Sequence, residues 1–218
     1  MKRIFAFLLT LLLASSMLVS CFVGDDGGGG DDTGNGGSTA ITAEAWDALF
    51  STEMFNNVSV KATAIAGGDT VTSELRATVN AVYTKSAGTE VYYEHKDGKT
   101  YVYAMLGDSW TKSEIPAEGA ISASMMMIFD GTGLVDKFSY SEAEGCYIAE
   151  NIELEGTTLT VKITVKDGFL SKVYMVEEGV AEATVEFYDY GTTVIELPEI
   201  STNEGTGDDI ELPIVPTN

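Results

Sequence analysis

The chain is short of nearly everything that reactive chemistry depends on. Its 218 residues include one histidine, His95, and two cysteines, Cys21 and Cys146. Any catalytic triad would have to be built around that single imidazole. His95 stands two residues before Asp97-Gly98, at the predicted end of a strand open to solvent, so neither a catalytic nor a metal role is expected for it. There is no Gly-x-Ser-x-Gly, phosphate loop, dinucleotide fingerprint or zinc spacing, and Gly131-Thr132-Gly133 is long enough only for a turn. Acidic residues are so abundant that no pair of them marks a glycosidase. The expectation is therefore no enzyme, no cofactor and no metal. Cations are scarce as well, with 12 Lys and Arg against 34 Asp and Glu and a net charge of −22. Such a chain repels nucleic acid and anionic headgroups, so a nucleic-acid partner is excluded.

What is present begins at the N-terminus. Lys2 and Arg3 precede an apolar core from Ile4 to Leu13, then Ala14-Ser15-Ser16, then Leu18-Val19-Ser20-Cys21. The last four residues resemble the lipobox of bacterial lipoproteins: a branched apolar residue, a tolerant position, a small residue and a cysteine. The resemblance implies that Leu18, Val19 and Ser20 are read by a signal peptidase, which cuts before Cys21 once its thiol carries a diacylglyceryl group. The competing reading is a permanent transmembrane anchor, since apolar residues continue to Val23 and about 20 of them span a bilayer. The small residue and the cysteine sit where processing needs them and favour the lipobox. Membrane attachment then rests on acyl chains, each buried methylene contributing about 0.8 kcal/mol. The expected address is extracytoplasmic, on a bacterial cell membrane or outer membrane. With Cys21 acylated, Cys146 has no partner within the molecule and is expected to be a small buried hydrophobe.

Loss of residues 1–20 leaves 198 residues, enough for one domain with a sizeable core, and removes Lys2 and Arg3, so that 10 cations face 34 anions, a net of −24. Residues 21–40 carry the acylated cysteine and a tether with eight glycines and four aspartates, reaching about 25 Å as a coil. Within it Asp31 to Gly36 has the look of a calcium loop, but Thr33 and Thr42 stand where oxygen-rich ligands belong. Residues 199–218 read as a second disordered tail, leaving one domain over 41–198.

That domain opens with a predicted helix. Trp46, Leu49, Phe50 and Met54 share one face, Thr42 is its N-cap, and Ile41 can staple onto Trp46. The period then changes to two. Val58 to Ala64, Val71 to Tyr83, Val91-x-Tyr93, Val102-x-Ala104 and Leu159 to Val165 alternate, with Val180 to Tyr190 and Thr193 to Leu197 as closing strands. Asp97-Gly98 and Asp167-Gly168 fall between alternating runs and predict tight hairpins. The pattern predicts nine or ten antiparallel strands with one dry face. A second helix is predicted over 117–129, with Ile121, Met125, Ile128 and Phe129 on one face. Met125-Met126-Met127 cannot all share that face. Tyr92 and Tyr93 point to opposite faces. With Tyr101 and Tyr103 they are expected to make cross-strand aromatic pairs on an exposed face, in preference to a sugar- or peptide-binding platform.

The order of these elements resembles the LolA/LppX/LprG superfamily, most clearly in Asp167-Gly168-Phe169-Leu170-Ser171-Lys172-Val173, Phe187-Tyr188-Asp189-Tyr190-Gly191-Thr192-Thr193-Val194 and Leu197-Pro198. The resemblance covers 41–198 and implies an α+β fold, mainly antiparallel β: a curved, unclosed half-barrel with the leading and mid-chain helices on its concave face. It further implies that an acyl chain, a lipoprotein anchor or another apolar ligand is held in the cavity. Trp46, Leu49, Phe50, Ile121, Met125, Ile128 and Phe129 are the expected lining. The alternative is an envelope-interaction lipoprotein with a filled core and no ligand.

Overall fold

The structure is a computed structural model and describes residues 41–116, 129–154 and 157–200. Residues 1–40, with Leu18, Val19, Ser20 and Cys21, the predicted mid-chain helix with Ile121, Met125 and Ile128, and residues 201–218 lie outside the described residues.

Helix α1 (Ala43–Ala48) starts where the sequence marks it, with the Thr42 hydroxyl accepting a hydrogen bond from the Ala45 N–H at 3.2 Å. It is shorter than the apolar stripe suggests. The Leu49 and Phe50 amides donate to carbonyls three residues back, tightening the last turn, and Met54 falls on a separate 3₁₀ turn, Thr52–Phe55.

Eleven strands follow: β1 (Val58–Ala66), β2 (Asp69–Ala77), β3 (Ala81–Ser86), β4 (Thr89–Lys96), β5 (Lys99–Leu106), β6 (Ser109–Ile115), β7 (Ser139–Ser141), β8 (Cys146–Leu154), β9 (Thr157–Lys166), β10 (Phe169–Glu177) and β11 (Ala181–Tyr188). They make one antiparallel sheet in the order β6-β5-β4-β3-β2-β1-β11-β10-β9-β8-β7. The chain walks outward from β1 to one edge, reappears at the opposite edge as β7, and meanders back to pair β11 with β1. Edges β6 and β7 are not joined, so the sheet is an unclosed half-barrel.

Both Asp-Gly dipeptides make the expected turns, with φ of 54° and 73° at Asp97 and Gly98, and 54° and 80° at Asp167 and Gly168. Three sequence expectations need correction. The run from Val71 to Tyr83 is broken at Thr78–Asn80, and pairing of Ala77 with Val82 reverses the parity beyond it, so that Tyr83 lies opposite Arg76 on the outer face. Short β7 is an additional strand, Ser-Tyr-Ser, with no alternation to reveal it. Thr193–Leu197 is not a strand. The Asn57 side chain takes the place of a ladder neighbour, accepting from the Thr193 N–H at 2.8 Å and donating to its carbonyl at 3.4 Å. The Thr193 hydroxyl in turn donates to the Asp189 carbonyl and meets Ser59 Oγ at 3.1 Å. The segment is thereby pinned across the start of β1, and Val194 remains exposed.

Candidate ligand-binding face

The register assigns each strand residue to one of two faces. Val58, Val60, Ala62 and Ala64 of β1 share the inner face with Ala77, Leu75, Ser73 and Val71 of β2, and with Phe187, Val185 and Ala183 of β11. The same logic carries the inner face outward through Val82 and Thr84, Tyr93 and Val91, Val102 and Ala104, to Ser113 and Thr111.

One wing of this face is sealed. Val161, Ile163, Leu170, Val173, Met175 and Val185 on β9–β11 are buried, the first three completely. Trp46, Leu49, Phe50 and Phe129, the described members of the expected lining, are brought together in the same core cluster. They form an aromatic plug. Trp46 lies 4.8 Å from Phe138, 5.4 Å from Tyr147 of β8 and 5.7 Å from Phe50, centroid to centroid, and Phe50 meets Phe129 at 6.2 Å. The Trp46 Nε1–H donates to the Gly131 carbonyl at 2.7 Å, and Asp47 Oδ1 accepts from the Gly133 N–H at 2.8 Å. A side chain at Gly131 would run into the Phe50 ring, so glycine is required by close approach.

The other wing is open. Val91, Val102, Ala104, Thr111, Ser113 and Ile115 on β4–β6 are only half-buried. So are Ala62 and Ala64 at the far end of β1, where the inner side chains shrink from valine to alanine. Val91, Val102, Ile115, Ala62 and Ala64 all pack against the core cluster without being covered by it. The residues expected as lining lie on the two predicted helices, whose apolar faces are legible in the sequence; that this wing of the sheet is only half-covered shows in the structure alone.

The outer face behaves as the tyrosines suggested. Arg76, Tyr83, Tyr92, Tyr103 and Lys112 are successive cross-strand partners from β2 to β6. Tyr83 and Tyr92 are 4.8 Å apart, Tyr92 and Trp110 5.3 Å, and Lys112 sits 4.1 Å above the Tyr101 ring. Glu94 accepts from the Tyr103 hydroxyl at 2.6 Å and from Lys112 at 2.7 Å, and these bonds hold its carboxyl below the ordinary range. The cations thus occupy ring faces that a sugar would need. Tyr93, of opposite parity, is buried on the inner face, and burial raises its pKa.

His95 Nδ1 is 3.1 Å from Thr100 Oγ1 and borders an open groove of about 630 Å³ with Thr78, Asn80, Asp97, Val194 and Leu197. Cys146 is buried, and burial pushes its thiol pKa up. Among the described residues no group of three His, Cys, Asp or Glu side chains could hold a metal ion, and no helix is long and apolar enough to cross a membrane.

No protein-family model and no curated protein matches the chain. Among solved structures it is similar to the Mycobacterium tuberculosis lipoprotein LppX, at 13% identity and a TM-score of 0.37, covering 70% of this chain and 95% of that one. It is also similar to a LolA superfamily protein from Nitrosomonas europaea, at 8% identity and a TM-score of 0.28, covering 73% and 96%. A DUF1329 family protein from Desulfovibrio piger is similar at 10% identity and a TM-score of 0.26, covering 67% and 90%. These are likenesses of fold, and no ligand or site residue is carried over from them.

Proposed function

We propose that this protein is an extracytoplasmic lipoprotein, anchored through acyl chains on Cys21, that holds a lipid or other apolar ligand against the open wing of its inner face. The observation that carries the reading is the half-buried state of Ala62, Ala64, Val91, Val102, Ala104 and Ile115, on the dry side of a sheet whose other wing is largely buried. Apolar surface left partly uncovered inside a domain favours an apolar occupant by about 25 cal/mol per Å² removed from water. The lipobox-like Leu18-Val19-Ser20-Cys21 supports the anchor and the address. No enzyme activity, cofactor or metal forms part of the reading, and no protein partner is assigned.

The plug of Trp46, Leu49, Phe50 and Phe129 favours the other reading, a filled envelope-interaction protein, for the sealed wing alone. Native mass spectrometry of the full chain purified from membranes separates the two. Lipid bound beyond the covalent anchor supports carriage, and a protein whose only lipid is covalent supports the filled core. In the same preparation, Cys21→Ser is expected to yield an uncut precursor held by its apolar run. A variant trimmed to the normal mature size contradicts the anchor assignment.

A further inference from the structure

Among the described residues five serines and threonines are buried: Ser59, Ser73, Thr84, Thr100 and Thr193. Three have side-chain partners, Ser59 with Thr193, Thr193 with the Asp189 carbonyl, and Thr100 with His95. The other two, Ser73 and Thr84, are 7% and 8% exposed and have no side-chain hydrogen bond among the described residues. Both have inner parity. Ser73 lies opposite Ala62, and Thr84 lies between Leu75 and Val91, so they border the open wing. They are diagonal neighbours on β2 and β3, about 7 Å apart. No fully enclosed side-chain oxygen or nitrogen is left unpartnered among the described residues, so both hydroxyls keep some contact with accessible space. Buried hydroxyls normally find partners, and a pair facing an alanine-floored space calls for an oxygen acceptor or donor on whatever fills it.

Charge narrows the ligand further. Every Lys and Arg on β1–β6, namely Lys61, Arg76, Lys85, Lys96, Lys99 and Lys112, has outward parity. The one acidic residue of inner parity on these strands is Asp69, exposed at the β1–β2 turn, and the one basic group is His95, at a strand end and bonded to Thr100. The open wing therefore has hydroxyls to meet a ligand oxygen and no cation to neutralise a carboxylate or phosphate. Removing an ionised headgroup from water without a counter-charge is strongly unfavourable. We infer that Ser73 and Thr84 anchor the oxygen of an uncharged acyl ester, and that the inner face selects neutral ester lipids over anionic ones. The inference rests on the carrier reading given above.

Three tritiated probes of matched chain length test it: hexadecane, methyl palmitate and palmitate. Each is equilibrated at pH about 8 with the full chain in non-ionic detergent after removal of bound lipid. Methyl palmitate is expected to be retained about tenfold or more over palmitate, and several-fold over hexadecane. Ser73→Ala with Thr84→Val keeps both shapes and is expected to abolish the preference for the ester over hexadecane, while continued hexadecane retention shows that the fold is intact. Equal or better retention of palmitate, or an unchanged ester preference in the double variant, overturns the inference and leaves the carrier reading standing. Failure of all three probes to bind overturns the carrier reading itself.

Discussion

The two wings of the inner face are built from the same alternating strands yet are finished in opposite ways. On β9–β11 the inward positions include Val161, Ile163, Leu170, Val173, Met175 and Val185, and α1 and the turn after it add Trp46, Leu49 and Phe50 to the same core. On β4–β6 the inward positions alternate Val91 with Tyr93, Val102 with Ala104, and Thr111 with Ser113, and they stay half-covered apart from Tyr93. One wing is largely buried, and the other is the one proposed to hold a ligand. The difference lies in how far each wing is covered, since parity is the same on both: Ala149, Ala181 and Ala183 are buried on the filled wing, whereas Val91, Val102 and Ile115 stay half-covered on the other.

The comparison is sharpened most by paired truncations. Trp46→Ala removes the indole, its bond to the Gly131 carbonyl and its contacts with Phe50, Phe138 and Tyr147, and is expected to cost about 4 kcal/mol in denaturant unfolding. Val102→Ala on the open wing should cost about 1 kcal/mol or less, because the side chain is only half-buried. Equal losses would erase the distinction between the wings. A smaller effect tests how tightly the plug is closed. Gly131→Ala, forced against the Phe50 ring, should cost about 2 kcal/mol, and full tolerance would mean the plug is loose.

The smallest effect belongs to the outer face. Glu94 has a folded-state pKa below its ordinary value, owing first to the Lys112 bond and then to Tyr103. Its unfolded form therefore takes up a proton first as pH falls. The stabilisation is complete above the ordinary carboxylate pKa and is lost as pH drops through the lower folded value. Side-chain exposure of 15% for Glu94 and 32% for Lys112 limits it to about 1 kcal/mol. Glu94→Gln should flatten that part of the acid limb of a stability–pH curve; an unchanged limb would show that the pair contributes nothing.

Much of the architecture was legible because it is written in local signals. Thr42 before an apolar stripe, two Asp-Gly dipeptides requiring positive φ, and the strict alternation of Leu159 to Val165 each specify structure over a few residues. What escaped notice depended on distant partners. The parity reversal at Thr78–Asn80 is fixed by pairing of Ala77 with Val82, and the loss of a strand at Thr193 is fixed by Asn57, far away in the chain. In β8 the register shifts between Ala149 and Ile152 around Asn151, whose φ is 58°, a break that alternation alone does not announce. For the candidate site, the expected lining lies on the two predicted helices, and its described members Trp46, Leu49, Phe50 and Phe129 fall in the core cluster. Ser73 and Thr84 carried no signal until the register set them on the inner face without partners.

The most direct test of the open wing is photolabelling of the full chain with a diazirine-bearing methyl palmitate, followed by peptide mapping of the adducts. Adducts are expected on Ala62, Ala64, Val91, Val102 and their neighbours, with none on Val161, Ile163 or Val173. Adducts concentrated on β9–β11, or no labelling above that of an unrelated protein, would contradict the open-wing reading.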